Sequence, residues 1–518
     1  MPPKTTSPIG GFKLMFKKLT PALFMCWMVT AILNVLFGFD TTSFGGVQNI
    51  PAFGREFGTP IGKNGAYMLS ASRASFMSSV GFAGKFLGAL FGSPIIESIG
   101  HRYSIWIVCV ISFIGIIIEC TSHEVAPFVV GRCIVYFSVG AAEICATTYQ
   151  SEIVPAAMRG TVVGSIQLFN QIGQILAALV NRRYYQSMEP KGWIIPVAVQ
   201  ACAPIIIVIG VYFIPDGPRW LISKGRIDDA VKTLEKVRPK ADVDAGHCKE
   251  EVAAIQEAIN NETDKGPWID LFRGTNLRRT MIATVIFIFQ QFTGQAFVSN
   301  YSPRFYNTVG LSKHAFDYNI GSAVLGWVGV LIGMFFIDLA GRRTVLIVGC
   351  IGQAVFLFLV AGMGLPKHPT AAAANTLVAS VMLYNFFFAG TLAPVSYVVG
   401  SEIGTAAVRE KTMAFTTAVS ILAAWIVAFC IPYILDDIGA NIGWVFGCMA
   451  ALATIFTYFF VPETKGRSLE ELDELFAQHI PARKFASTET VGPGRRAADL
   501  ENLDAVQIDD LKSKGLMG

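Results

Sequence analysis

Asp40, Lys85 and Glu143 are ionisable side chains that lie inside long apolar stretches of this sequence. Asp40 stands between Phe39 and Thr41, where an unpaired carboxylate in a hydrocarbon environment would be costly. Burial favours the neutral form of such an acid, and a nearby cation favours its charged form. If that cation moves with conformation, the acid can take up and release a proton; a permanent ion pair would only stabilise the fold. We expect Lys85 and Glu143 to bridge each other.

A charged loop with an acid, a glycine and two basic residues occurs twice at the same spacing. The copies are Glu97-Ser98-Ile99-Gly100-His101-Arg102 and Asp338-Leu339-Ala340-Gly341-Arg342-Arg343. Two further pairs repeat in the same order, Glu152 before Arg159 as Glu402 before Arg409, and Pro215-Asp216-Gly217-Pro218-Arg219 as Pro462-Glu463-Thr464-Lys465-Gly466-Arg467. The chain is therefore predicted to consist of two copies of one structural unit.

Charges repeated in this way can bridge the two units when they close on one side and separate when they open. One exposed pair contributes only about 0.2 to 1 kcal/mol, so several pairs together would form a reversible latch. The alternative is that the charges only mark the edge of a membrane. The first copy has a histidine, His101, and so could respond to pH. The predicted gate residues are Glu97, Arg102, Glu152, Arg159, Asp338, Arg342, Arg343, Glu402 and Arg409.

The composition shows which elements must position these residues. Hydrophobic residues make up 53% of the chain and charged residues 15%, with a mean hydropathy of +0.51. This is typical of a membrane protein, in which a spanning helix needs about 20 mostly apolar residues. We predict an all-α membrane protein with twelve spans, at 20–48, 68–96, 104–121, 127–148, 161–184, 193–214, 280–307, 318–337, 344–363, 376–400, 412–434 and 441–461.

Six predicted spans lie on each side of a charged stretch, which indicates two six-helix bundles. The predicted domains are an N-terminal segment 1–19, a bundle 20–214, a linker of short amphipathic helices 215–279, a bundle 280–461 and a tail 462–518, expected to be disordered after Leu475. Basic residues favour the cytoplasmic side, and they concentrate in the even-numbered connections. Both termini are therefore expected to be cytoplasmic, although Arg182, Arg183 and Lys191 run against the trend.

Other function classes find little support in the residues. A net charge of +4 does not indicate a nucleic-acid partner, and the ten cysteines form no C-x-x-C pair. The sequence has no phosphate-binding loop, no nucleophile elbow and no histidine-rich cluster, so we predict neither an enzyme nor a metal or cofactor site. The expected partners are a small solute, a proton and the lipid bilayer, and we expect a monomer.

The motifs together resemble the sugar porter branch of the major facilitator superfamily, over about residues 20 to 475. Besides the repeated loops, they include Gly131-Arg132 and Gln290-Gln291-Phe292-Thr293-Gly294, and the stretch 38–48 is similar to fungal members. The resemblance implies a major facilitator fold, alternating access and a substrate site between the bundles. It also implies that Arg132 is the cation that acts on Asp40 in proton coupling.

The resemblance places sugar contacts on amides and aromatic rings, which suit hydroxyls and the apolar face of a sugar. Those positions are Gln167, Gln290, Gln291, Tyr301 and Tyr397. The chain departs from the family pattern at three places: Ala296 and Gly326 replace frequent asparagines, and Ser420-Ile421 replaces an amide-tryptophan pair. Either the solute differs from glucose, or the pocket is rebuilt around Gln295, Asn300 and Ser420.

The predicted function is secondary transport of a sugar or related polyol with proton symport. The protein is predicted to be a multi-pass protein of the plasma membrane. Three alternatives stay open: a facilitator without proton coupling, a transporter of another organic solute such as a quinate-like acid, a glycoside or a secondary metabolite, and a nutrient sensor that does not transport.

Overall fold

The structure is a computed structural model that describes residues 19–61, 66–244, 246–261, 266–364, 370–405, 407–465, 467 and 469–488. The first half contains α1 (Pro21–Val47), α2 (Pro51–Phe57), α3 (Ala71–Ser79), α4 (Gly81–Ile99), α5 (His101–Thr121), α6 (Val125–Ile153), α7 (Ala156–Tyr184), α8 (Lys191–Val199) and α9 (Cys202–Val211). Two short strands, β1 (Thr59–Ile61) and β2 (Ala66–Met68), pair antiparallel between α2 and α3.

The linker contains α10 (Pro218–Ser223), α11 (Ile227–Val237), α12 (Lys240–Asp244) and α13 (His247–Asn261). The second half contains α14 (Gly274–Phe292), α15 (Gln295–Thr308), α16 (Ala315–Ala340), α17 (Arg342–Met363), α18 (Ala371–Phe387), α19 (Ala393–Ile403), α20 (Arg409–Ile438), α21 (Ile442–Phe460) and α22 (Leu469–Ala477). Single 3-10 turns occupy Trp268–Phe272, Ser312–His314, Gly439–Asn441 and Ala482–Ser487, and a π-helical turn at Phe388–Leu392 joins α18 to α19.

Each of the twelve predicted spans corresponds to one of these helices or to two consecutive ones. Within the described residues, ten helical stretches are long and apolar enough to cross a membrane, and the last of them joins α20 and α21. The span not among them is α7, which is 29 residues long and carries several amides and arginines. Its length still suffices to cross a bilayer, because each helical residue adds about 1.5 Å.

Glycines allow the helices of each bundle to cross at close range. A Cβ on Gly38 would lie 1.8 Å from the backbone oxygen of Asn170, where α1 crosses α7. A Cβ on Gly333 of α16 would lie 1.9 Å from the backbone oxygen of Gly390. Small residues of this kind are favoured in membranes, where close van der Waals packing drives helix association.

The linker and the start of the tail pack on opposite bundles. Buried side chains of α10, α11 and α13 join the core of the first bundle, and Arg238 donates to the carbonyl of Ile153 at 2.8 Å. In the tail, Leu475, Phe476 and Phe485 are buried against the second bundle. The prediction of disorder after Leu475 is therefore wrong for residues 476–488, because two aromatic rings anchor them; the later tail lies outside the described residues.

Candidate functional site

The two bundles meet tightly at one end of the molecule. We call the end that holds Gly100 and Gly341 the loop side, and the opposite end the far side. On the far side Gln48 of α1 donates to the backbone oxygen of Asn300 at 3.1 Å, and Ser75 of α3 donates to that of Phe429 at 2.6 Å.

An ion pair and an aromatic contact complete this connection. Arg182 at the end of α7 pairs with Asp317 at the start of α16, and the rings of Tyr185 and Phe316 lie 5.3 Å apart. We call these contacts, with those of Gln48 and Ser75, the far-side seal.

On the loop side, each charged loop is held by an acid that follows the last span of its own bundle. The backbone N–H of Arg102 donates to Asp216 at 2.9 Å, and the N–H groups of Arg342 and Arg343 donate to Glu463 at 2.9 and 3.1 Å. Both acids therefore cap a helix N-terminus, where free N–H groups favour a negative charge. Burial raises the pKa of the Asp216 carboxyl above its ordinary value, although the N–H and charge of Arg102 counteract this effect.

The loop glycines are required by this capping geometry. Gly100 and Gly341 have φ of 87° and 90°, which side chains rarely adopt. A Cβ would also lie 2.9 Å from Asp216 at the first loop and 2.4 Å from Glu463 at the second. The same two constraints at both loops confirm that the halves repeat one design.

The predicted gate charges also follow the repeat. His101 lies 3.6 Å from Glu152, as Arg342 lies 3.0 Å from Glu402 at the equivalent place. Arg102 donates to the backbone oxygen of Tyr212, and Arg343 to that of Tyr458.

The remaining gate residues lie near these pairs. Arg409 donates to the backbone oxygen of Gly404, and the backbone oxygen of Glu97 accepts from Trp220. The side chains of Arg159 and Asp338 lie outside the described part. The ion pair of Arg342 with Glu402 and the contact of His101 with Glu152 each lie within one bundle in this conformation. A latch between the bundles stays a prediction.

Two of the predicted solute contacts form a connected amide cluster. Gln290 donates to the backbone oxygen of Ala393 at 3.0 Å, and Gln291 donates to Gln290 at 3.2 Å and to Ser420 at 3.1 Å. The helix breaks just after them at Gly294, whose φ of 99° starts α15. Ser420, predicted as part of a rebuilt pocket, therefore does contact the amide pair.

The other predicted contacts lie in different surroundings. Gln167 is half-buried on α7, and Gln295 donates to Ser299 at 3.2 Å. Tyr301 is fully buried and its hydroxyl donates to the backbone oxygen of Ala428 at 3.0 Å. Tyr397 is 40% exposed and packs edge-on against Phe287.

The space at Gly326 is filled by amides from two other helices. A Cβ on Gly326 would lie 2.6 Å from the side-chain nitrogen of Asn385 and 3.1 Å from the side-chain oxygen of Gln171. Asn385 belongs to α18 and Gln171 to α7 of the other bundle, where its oxygen has no hydrogen-bond partner. The amide expected at position 326 is therefore replaced in space by Asn385, and Gln171 is a candidate contact that sequence reasoning missed. Gln171 lies one helical turn after Gln167 and so shares its helix face, and this spacing could have identified Gln171 from the sequence.

The predicted bridge between Lys85 and Glu143 is confirmed. The two side chains lie 3.1 Å apart, and the ammonium of Lys85 lies 4.2 Å from the centre of the Phe37 ring. The hydroxyl of Tyr397 in the second bundle faces the carboxylate of Glu143 in the first. This pair therefore lies at the boundary between the bundles.

Asp40 and Arg132 are both fully buried in the first bundle. The charge of Arg132 acts on Asp40, but no ion pair within 4.0 Å joins these two described residues, and one oxygen of Asp40 has no hydrogen-bond partner. The guanidinium of Arg132 instead stacks on the rings of Phe44 and Tyr136, at 4.1 and 4.9 Å. A third buried ionisable group beside them, Glu119, was missed by sequence reasoning, because it lies close to the end of a predicted span.

The chain is similar to known transporters over most of its length. Residues 26–476 match a family model described as "Sugar (and other) transporter". The chain is 32% identical to the major facilitator-type transporter ecdD of Aspergillus rugulosus, with 92% of this chain and 91% of that protein covered. It is 30% identical to the low-affinity glucose transporter HXT3 of Saccharomyces cerevisiae, with 94% of this chain and 87% of HXT3 covered. Among solved structures it resembles the proton:xylose symporter XylE of E. coli bound to 6-bromo-6-deoxy-D-glucose. The two are 26% identical, the match covers 88% of this chain and 99% of XylE, and the TM-score is 0.72.

Proposed function

The chain belongs to the sugar transporter family of the major facilitator superfamily, and we propose on that premise that it carries a hexose together with a proton. It is a multi-pass membrane transporter and not an enzyme. The observation that carries the choice of solute is the amide cluster of Gln290, Gln291 and Ser420. Neutral amides and a hydroxyl can both donate to and accept from sugar hydroxyls, and the described part of the cluster holds no charge that a carboxylate solute would need.

We propose that side chains of the first bundle complete the solute site. Gln171 and Gln167 lie on one face of α7, and Gln171 reaches the second bundle at Gly326. A solute held between α7 and α14 would therefore touch both bundles. Binding energy from both sides can favour closure around the solute, which is the requirement for alternating access.

The proton is proposed to bind at Asp40. Two cations act on this buried carboxyl, Arg132 and Lys85, and Lys85 is itself paired with Glu143 at the bundle boundary. Movement of the bundles would change the distance from Asp40 to these cations and hence its tendency to hold a proton. The likeness of this chain to XylE, a proton:xylose symporter, supports proton coupling.

The loop side is proposed to be cytoplasmic and the membrane to be the plasma membrane, with both termini inside. The basic residues Arg102, Arg342 and Arg343 all lie on the loop side, which agrees with the retention of basic residues in the cytoplasm. The far-side seal then closes the extracellular end. We therefore propose that the structure is an inward-facing state, and that the gate charges exchange partners between bundles when the loop side closes.

Uptake into a transporter-deficient host is the experiment that tests the function. A panel of labelled hexoses, pentoses, disaccharides and organic acids is offered with and without a protonophore. We expect a hexose to accumulate above its external concentration and the protonophore to abolish the accumulation. Accumulation of an organic acid alone would contradict the choice of solute, and hexose uptake that only equilibrates would contradict the coupling. Absence of uptake for every solute would favour a sensor.

Gln291→Ala is expected to raise the KM for the transported hexose about 5- to 150-fold. The variant removes an amide from the solute and leaves Ser420 without its partner, and one such lost hydrogen bond costs about 1 to 3 kcal/mol. Initial uptake rates over a range of sugar concentrations measure the change. Gln478→Ala, at an exposed amide in the tail, is the matched control and should keep the wild-type KM. An unchanged KM in Gln291→Ala would remove this residue from the site.

A further inference from the structure

Glu119 is a fully buried acid for which none of the roles described above accounts. It lies near the end of α5, it is 0% exposed, and neither of its carboxyl oxygens has a hydrogen-bond partner. Buried polar groups normally do have partners, and a buried charge without one is very costly. A specific role for Glu119 is therefore expected.

The crossing of α5 and α6 places Glu119 against Gly131, the residue that precedes Arg132. A Cβ on Gly131 would lie 2.8 Å from Cγ of Glu119 and 3.0 Å from the backbone oxygen of Gly115. Gly115 and Glu119 are four residues apart and share one face of α5, and both pack on α6 at Gly131. The absence of a side chain at Gly131 is what allows the acid to lie there.

Asp40, Glu119 and Arg132 therefore form one buried charge cluster, with exposed fractions of 1%, 0% and 1%. The charge of Arg132 acts on both acids, and the two acids act on each other. A guanidinium stays charged, so it can balance only one of two carboxylates. These three groups together are neutral only if one acid holds a proton, and ionising both acids in a buried site with a single shared guanidinium leaves one charge unbalanced, which is costly.

The neighbouring groups decide which acid holds it. The other ionisable groups that act within the cluster are Lys85 on Asp40 and the side chains of Cys120, Cys133, Tyr136 and, from the second bundle, Tyr301. The thiols and the phenols are neutral at pH 7. Lys85 adds a second cation beside Asp40, whereas Arg132 is the single cation beside Glu119 among the described residues. The charged form is therefore favoured more at Asp40 than at Glu119.

We propose that Glu119 is a second proton-binding carboxyl of this transporter and holds a proton while the far side is closed. A proton on Glu119 leaves Arg132 to balance Asp40, and a proton on Asp40 leaves Arg132 to balance Glu119. Two acids that share one cation bind their first proton more tightly than one acid with the same cation would. Glu119 thereby sets the pH range over which Asp40 couples sugar to protons, and this step depends on the coupling proposed above.

Glu119→Gln tests this role through the pH profile of uptake. In wild type the first proton binds to two carboxylates that share Arg132, whereas in Glu119→Gln it can bind only to Asp40, which then has Arg132 to itself. The first proton therefore binds more weakly in the variant, and the pH of half-maximal accumulation should fall by about one unit or more. Glu124→Gln, an exposed position near the same end of the helix, is the matched control and should keep the wild-type profile. Glu119→Met has a side chain of similar volume and also cannot hold a proton. It should lower the pH midpoint as Glu119→Gln does, and it replaces that variant if the amide disturbs folding. An unchanged midpoint in a well-expressed Glu119 variant would overturn the proposal.

An infrared measurement tests the proton itself without transport. Purified full-length protein at pH 7 should show the carbonyl stretch of a protonated carboxyl that is lost in Glu119→Gln and retained in Glu124→Gln. The same band in wild type and Glu119→Gln would overturn the proposal. If wild-type uptake proves insensitive to pH and to protonophore, the coupling at Asp40 fails, and the band still decides whether Glu119 holds a proton.

Discussion

Asp40→Asn is expected to abolish accumulation of sugar against its gradient while leaving exchange of labelled for unlabelled sugar intact. Asparagine has nearly the shape of the protonated acid, so it should fit the buried site beside Arg132. It cannot release a proton, so the return of the empty transporter is no longer coupled to proton release at this position. The internal concentration should then rise no higher than the external one.

Two assays on the same membranes separate this outcome from a folding defect. Net uptake with an imposed proton gradient should fall to equilibration, and counterflow in preloaded vesicles should stay near the wild-type rate. Asp437→Asn, at an exposed acid on the far side, is the matched control and should keep both activities. Uphill accumulation by Asp40→Asn, at any pH, would place the proton site elsewhere.

Gly45→Trp is expected to reduce transport by about 100-fold because it prevents closure of the far side. A Cβ on Gly45 of α1 would lie 2.4 Å from the backbone oxygen of Asn300 in the other bundle. A backbone atom cannot rotate away, so an indole at this position can be accommodated only if the bundles separate. Overpacking of this kind costs about 3 kcal/mol or more, which is enough to depopulate the closed state by about two orders of magnitude.

The variant should be blocked in one state rather than unfolded. Counterflow and net uptake should both be lost, whereas the purified protein should still bind the sugar, since the atoms nearest to a Cβ on Gly45 belong to the backbone of Asn300 and not to Gln290, Gln291 or Ser420. Gly362→Trp on α17 provides the control, because no atom lies within 4 Å of a Cβ built there. Wild-type counterflow in Gly45→Trp would show that α1 and α15 do not need to meet during the cycle.

The sequence predicted the repeated loops but not what holds them. Asp216 and Glu463 appear in the sequence as a matched pair, each more than a hundred residues from the loop it caps. Their spacing along the chain does not show that they accept from the N–H groups of Arg102, Arg342 and Arg343. That contact exists because the last span of each bundle returns to the loop side beside the third.

The candidate site shows the same division. Gln290 and Gln291 could be found from their motif, and Lys85 and Glu143 from the cost of an unpaired charge in a span. Glu119 and Gln171 could not be chosen in this way, because a single acid near a helix end and one amide among several are common in such helices. Only the crossing at Gly131 and the approach to Gly326 gave them neighbours.

The sequence alone determined the membrane environment, the twelve spans and the two-fold repeat. These properties depend on hydrophobic length and on charge spacing along the chain, which local composition fixes. The tertiary structure decided which buried groups meet, namely Arg132 with Asp40 and Glu119, and Gln291 with Ser420. Such meetings depend on how each helix is rotated and where it crosses its neighbours, and in a span that is apolar on every face no hydrophobic pattern specifies that rotation.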